Sequence, residues 1–123
     1  MKFTQQSPAG ANLIRRYGAD FIVIGDEEIR RSCLVNATTL TREWPPRSVE
    51  ELTPAHLAPI FELAPEVVVL STGVSQKFPR AAWRAEFATR RIGLEVMEVG
   101  AACRTYNVLV SEERQVVGAI LLP

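Results

Sequence analysis

Ile92-Gly93-Leu94-Glu95-Val96-Met97-Glu98-Val99-Gly100-Ala101-Ala102-Cys103-Arg104-Thr105, continuing to Leu122, decides the fold when read with Val67-Val68-Val69-Leu70-Ser71-Thr72-Gly73. Three short apolar runs, at 67–70, 94–97 and 116–122, are separated by two stretches of helical spacing. This β-α-β-α-β order is the grammar of a parallel or mixed sheet covered by helices. The near-continuous valine run at 67–70 predicts a central strand buried on both faces. Residues 67–70 and 94–97 are expected to be parallel, with 116–121 in the same sheet. Sheets of this kind bind ligands where strands end and helices begin. Ser71-Thr72-Gly73 and Gly100-Ala101-Ala102 stand at two such points.

The first third reads differently. Residues 12–17, 21–24, 28–35 and 39–44 are short apolar or β-branched runs, with Gly25-Asp26 placed for a hairpin turn. Arg30 and Arg31 interrupt the third run and predict a half-exposed or edge strand. Trp44-Pro45-Pro46 can continue neither a ladder nor a helix, and marks a seam between an antiparallel layer and the α/β half. Each half is too small to fold securely alone, so residues 1–123 are read as one domain. Thr53-Pro54 reads as N-cap and first helical position, with Pro59 shortening, kinking or restarting that helix. A second helix is expected from Pro79 to about Arg91, and a third from Gly100.

Composition narrows the function. The 123 residues carry 14 basic and 14 acidic side chains, so the net charge is zero. That balance argues against a nucleic-acid binder and against an electrostatic membrane anchor. No apolar run approaches the ~20 residues that span a bilayer. The start, Met1-Lys2-Phe3-Thr4-Gln5-Gln6, lacks a signal-peptide core. Cys33 and Cys103 form no CxxC pair, which suits a reduced, cytoplasmic protein. No cofactor and no metal is expected: His56 is the only histidine, and no Cys/His cluster accompanies it.

Several positions invite a binding role. Ser71, Thr72 and Gly73 form either an ordinary β-α turn or a turn that offers backbone N–H groups to an anion. Gly100 and Ala101 either pack a helix tightly on the sheet or let a ligand approach its N-terminus. On a helical wheel at about 100° per residue, Arg104, Asn107 and Ser111 share a narrow polar arc. Arg104 and Lys77 are equal candidates to reach an anion, and Thr105 closes the set. Cys103 falls at the margin of the apolar face, as a packing residue or a reactive thiol. Arg80, Arg84 and Arg91 fall beside Trp83 and Phe87. They either snorkel at the border of a core stripe or form a partner surface.

The same residues carry a resemblance. Leu70-Ser71-Thr72-Gly73 with Phe78-Pro79, Ile92-Gly93-Leu94, and above all Ala101-Ala102-Cys103-Arg104-Thr105-Tyr106-Asn107-Val108-Leu109 resemble signatures of a small family of unknown function. That family includes the mitochondrial respiratory complex I assembly factor 3. The resemblance covers almost the whole chain and implies an α/β fold. Its three-layer single domain would hold a mixed, largely parallel central sheet, helices, and an extra antiparallel β layer from the N-terminal third. It implies a prokaryotic member, with no enzyme activity or cofactor established and with a protein partner as in the mitochondrial case. The expected function is therefore a non-enzymatic protein-binding or assembly module. The alternative is a small-molecule or anion-binding protein using the crevice near Ser71–Gly73 and Gly100–Thr105.

Overall fold

The computed structural model describes residues 10–123; the expectation placed on Met1 to Gln6 lies outside them. Eight strands and three helices follow in chain order: β1 (Ile14–Tyr17), β2 (Ile22–Ile24), β3 (Glu27–Ile29), β4 (Cys33–Val35), β5 (Leu40–Thr41), α1 (Pro54–Glu62), β6 (Val67–Ser71), α2 (Ala81–Thr89), β7 (Gly93–Met97), α3 (Val99–Ser111) and β8 (Val116–Ile120).

The five-stranded central sheet has the order β5-β4-β8-β6-β7. β6 pairs in parallel with β7, Val67 opposite Gly93, and with β8, Val67 opposite Val116. All five residues of β6 are buried, as the valine run predicts for a strand flanked on both sides. The three apolar runs of the C-terminal half thus lie in one sheet. Its other side is antiparallel, because β4 pairs with β8 and with β5. The sheet is mixed and largely parallel in strand direction, with β4 alone running against the other four.

The expected third run at 28–35 is two strands in two sheets. β3 closes the antiparallel sheet β1-β2-β3, while β4 crosses to the central sheet. The break falls at Ser32. Its buried hydroxyl donates to the Leu122 carbonyl at 3.2 Å and accepts from the Leu122 N–H at 2.8 Å. A hydrogen-bonded serine at that point lets the chain leave one ladder and enter the next without stranding a buried polar group.

Each face of the central sheet carries its own core. Val67, Val69, Val116 and Ile120 face α3 and the small sheet, where they meet Ile22, Ile24, Ala102, Tyr106 and Val110. Val68, Leu70, Val117 and Ala119 face α1 and α2, where they meet Trp44, Leu57, Ile60 and Phe87. The alternation follows from the period of a strand. The result is three layers: α3 with the small sheet, the central sheet, and α1 with α2.

α1 starts as its sequence predicts. Pro54 stands at the start, and the Thr53 N–H donates to His56 Nδ1 at 3.1 Å, so the sole histidine works in a capping box. Pro59 neither breaks nor restarts this nine-residue helix. α2 is shorter than the expected 79–91: Arg80 is its N-cap, and Arg91 lies beyond it in the left-handed region with φ 59°.

Candidate functional site

The carboxyl ends of β6 and β7 do come together, through the backbone. The Thr72 N–H donates to the Met97 carbonyl at 2.9 Å, and the Val99 N–H donates to the Gly73 carbonyl at 2.8 Å. Gly73 holds φ +100°, a conformation that favours glycine, and this turns the chain back over the start of α3.

The N-terminus of α3 is already served by the chain's own carboxylate. α3 begins at Val99, not Gly100, because Glu98 is its N-cap. Its side chain accepts from the N–H groups of Gly100 and Ala101, both at 2.8 Å. Those bonds, Ala101 first, with a smaller contribution from Arg104, hold the Glu98 carboxyl below the usual carboxylate range. The donors that the sequence reading offers to an external anion are thus spent internally.

Arg104 has one intramolecular partner and is otherwise exposed. Its Nη1 donates to Tyr17 Oη at 2.8 Å. A Cβ on Gly100 would stand 3.0 Å from Tyr17 Oη and 3.2 Å from Arg104 Nη1, so glycine there lets the tyrosine close over the helix start. Within the polar arc of α3, Arg104 is exposed and Asn107 meets the backbone edge of β1. Asn107 Oδ1 accepts from the Ile14 N–H and Asn107 Nδ2 donates to the Ile14 carbonyl, each at 2.9 Å.

Of the eight expected crevice residues, Thr72, Gly73 and Lys77 line one cavity, of about 380 Å³, with Arg47, Ser48, Val49, Glu50 and Val74. Gly100, Ala101, Arg104 and Thr105 do not line it. Ser71 is fully buried, on the face of Val67 and Val69, and its hydroxyl has no hydrogen-bond partner among the described residues. Thr72 Oγ1 donates to the Ser75 carbonyl at 2.7 Å and accepts from the Lys77 N–H at 3.1 Å, which fixes the loop. Lys77 Nζ lies 3.9 Å from Glu50, a solvent-exposed pairing of little energetic weight.

The expected arginine surface is divided. Arg80 sits 5.8 Å from the Trp83 ring and Arg84 Nε donates to the Pro79 carbonyl at 3.3 Å, so both belong to the start of α2. Arg91 is past the other end, roughly 16 Å away along a helix axis. Arg90, which the wheel does not single out, packs 4.1 Å from the Phe61 ring instead.

The thiols are buried and unbonded. Burial is the first cause that pushes Cys103 up to about 12, with Glu98 adding and Arg104 opposing; burial likewise pushes Cys33 up to about 12. A thiol in that state is a packing group at neutral pH. Among the described residues no group of three His, Cys, Asp or Glu side chains converges as a metal site would require. Nor is any helix long and apolar enough to cross a membrane.

Sequence reading missed Glu98 and Tyr17. Glu98 is not one of the short side chains that signal an N-cap, and residues 94–99 also read as strand, so the cap had no clear local mark. Tyr17 has no local signal: only the packing of β1 against α3 brings it to Arg104.

Fold and site together define a small α/β domain whose parallel core is flanked by antiparallel strands, with the first N–H groups of α3 bonded internally. The chain belongs to the family of proteins of unknown function DUF498/DUF598, whose family model matches residues 14–121. Among similar solved structures is the Xanthomonas campestris protein XCC1710, 35% identical, with a TM-score of 0.85 over 99% of this chain and 92% of that one. A Bordetella parapertussis protein is 29% identical, with a TM-score of 0.85 over 94% of this chain and all (100%) of that one. A Francisella tularensis protein named "13 kDa major membrane protein" is 31% identical over 68 residues, 55% of this chain and 55% of that protein. The match therefore spans about half the length of that relative.

Proposed function

We propose that this protein is a non-enzymatic docking module that holds a partner protein through the loop between β6 and α2. One observation carries the reading: Val74 and Phe78 on that loop are 73% and 62% exposed. Large apolar side chains left that open, on a loop tied down at its start by Thr72 and by Gln76 Nε2 donating to the Val96 carbonyl at 2.9 Å, are characteristic of an interaction surface. Lys77 shares a cavity lining with Val74, and Arg84 shares one with Phe78. The matching partner is an apolar patch rimmed by carboxylates, and an assembly role belongs to the same proposal. So does a cytoplasmic setting, supported by two buried, unpaired thiols. The small-molecule alternative rests on the cavity of Thr72, Gly73 and Lys77. It is the weaker reading, because Glu50 faces Lys77 there and the α3 donors are taken by Glu98.

Affinity capture from the native cell, read by mass spectrometry, tests the proposal. A V74S/F78S double variant is expected to lose a partner that the wild type and V108S retain, Val108 being an exposed apolar residue on α3. An identical captured set for all three proteins refutes it.

A further inference from the structure

Among the described residues the two sheets have four edge strands, and three of them are protected against pairing with another chain. The outer backbone of β1 at Ile14 is taken by Asn107. β3 is three residues long and carries Glu27 and Glu28, each paired with an arginine. β5 has two residues. β7 has five, Gly93-Leu94-Glu95-Val96-Met97, with one charge.

The hydrogen bonds of β7 show which of its groups are open. The Gly93 N–H donates to the Glu66 carbonyl at 3.0 Å and the Thr72 N–H to the Met97 carbonyl at 2.9 Å, so the backbone of residues 93 and 97 faces the β6 side. Alternation along the strand turns the N–H and C=O groups of Leu94 and Val96 away from β6. Gln76 occupies one of these groups: its Nε2 donates to the Val96 carbonyl at 2.9 Å. A carboxamide carries the donor and acceptor of a peptide group, so Gln76 stands where a neighbouring strand would bond. Among the described residues no bond from that side reaches Leu94.

The side chains at this edge set the chemistry of the occupant. Leu94 and Val96 are half-buried and line a hollow of about 430 Å³ with Phe78, Phe87 and Ala88, between β7 and α2. Arg84 borders the same hollow from α2, with its Nε bonded to the Pro79 carbonyl. Glu95 is exposed and points to the opposite face of the sheet. A strand laid on β7 therefore puts alternate side chains into an apolar groove and the one between them against a carboxylate. A second copy of this chain is a poor match. Bonding Leu94 of each copy to Val96 of the other sets the two Glu95 carboxylates directly opposite, where they repel. We infer that β7 takes up an extended peptide as an antiparallel sixth strand of the central sheet, with apolar side chains opposite Val96 and Leu94 and a lysine or arginine between them opposite Glu95. Val74, which the docking loop needs, lies outside this groove, so strand uptake stands apart from the loop.

The test titrates the full chain with acetyl-Thr-Val-Lys-Val-Thr-amide, and with the same peptide carrying glutamate in place of lysine, followed by proton–nitrogen NMR spectra. The lysine peptide is expected to saturate at about millimolar concentration, shifting the backbone amides of Leu94 and Val96 and the side-chain amide of Gln76. It should bind about fivefold more tightly than the glutamate peptide, and Glu95→Lys should reverse that order. Methylating both valine backbone nitrogens of the peptide should abolish binding, whereas methylating the lysine backbone nitrogen, which points away from β7, should be tolerated. V74S should bind as the wild type does. Equal binding of the two peptides in both proteins, undiminished binding after valine methylation, loss of binding in V74S, or shifts that never saturate would overturn the assignment. So would shifts at Leu94 and Val96 that appear on raising the protein concentration alone, which mark self-pairing.

Discussion

Replacing Asn107 with alanine should detach the small sheet from α3. β1 is an edge strand, so its outer backbone groups have no strand partner, and Asn107 supplies both a donor and an acceptor to Ile14. Ile14 is 4% exposed, which leaves water little room to take over. A hydrogen bond lost where water can substitute costs about 1 kcal/mol, and a buried group left unpaired about 1–3 kcal/mol. Two such groups place the Asn107→Ala loss at about 2–4 kcal/mol, a large fraction of the roughly 5–15 kcal/mol that holds a domain folded. With a urea slope of about 1–3 kcal/mol per molar, the unfolding midpoint should fall by about 1–2 M at unchanged slope. Asn107→Asp should do little better, because its second oxygen would face the Ile14 carbonyl and not donate to it. Urea unfolding followed by tryptophan fluorescence reads the midpoint, and hydrogen exchange at Ile22 to Ile24 reports whether the small sheet loosens first. An Asn107→Ala midpoint within about 0.3 M of wild type would refute the reasoning, since the clamp would then be replaceable by solvent.

Burial raises Cys33 and Cys103 to about 12 and raises Tyr106 as well, so these groups keep their protons in the fold after an unfolded chain has begun to release them. Stability should therefore be complete below about pH 8.5 and fall as pH rises toward 12, by up to about 1.4 kcal/mol per pH unit for each thiol. Urea midpoints measured from pH 8 upward check this, and an unchanged alkaline slope in a C33A/C103A variant would show that the thiols are not the cause. Ser71→Ala removes a buried hydroxyl without a partner and should stabilise the protein by about 1 kcal/mol in the same assay. A loss of similar size would show that Ser71 is hydrogen-bonded in solution.

The strand-helix order was legible because the signals are local. A β-branched run such as Val67 to Val69, stopped by Pro65 before it and Gly73 after it, favours a strand buried on both faces, and Thr53-Pro54 carries its own helix start. The site was less legible. Thr72, Gly73 and Lys77 belong together because they are one loop, whereas Arg104 was read as open because a wheel shows that an arc is polar but not what lies against it. The same limit hid the pairing of Asn107 with Ile14.

By itself, then, the sequence determined which segments become strands and helices, which faces are apolar and where the turns fall, since these depend on spacing and residue type over a few neighbours. Long-range packing settles that residues 28–35 serve two sheets and that Glu98 and Tyr17 close the start of α3. Those outcomes turn on which backbone donors, acceptors and charges meet across long stretches of chain, and a buried polar group takes whatever partner the packing brings.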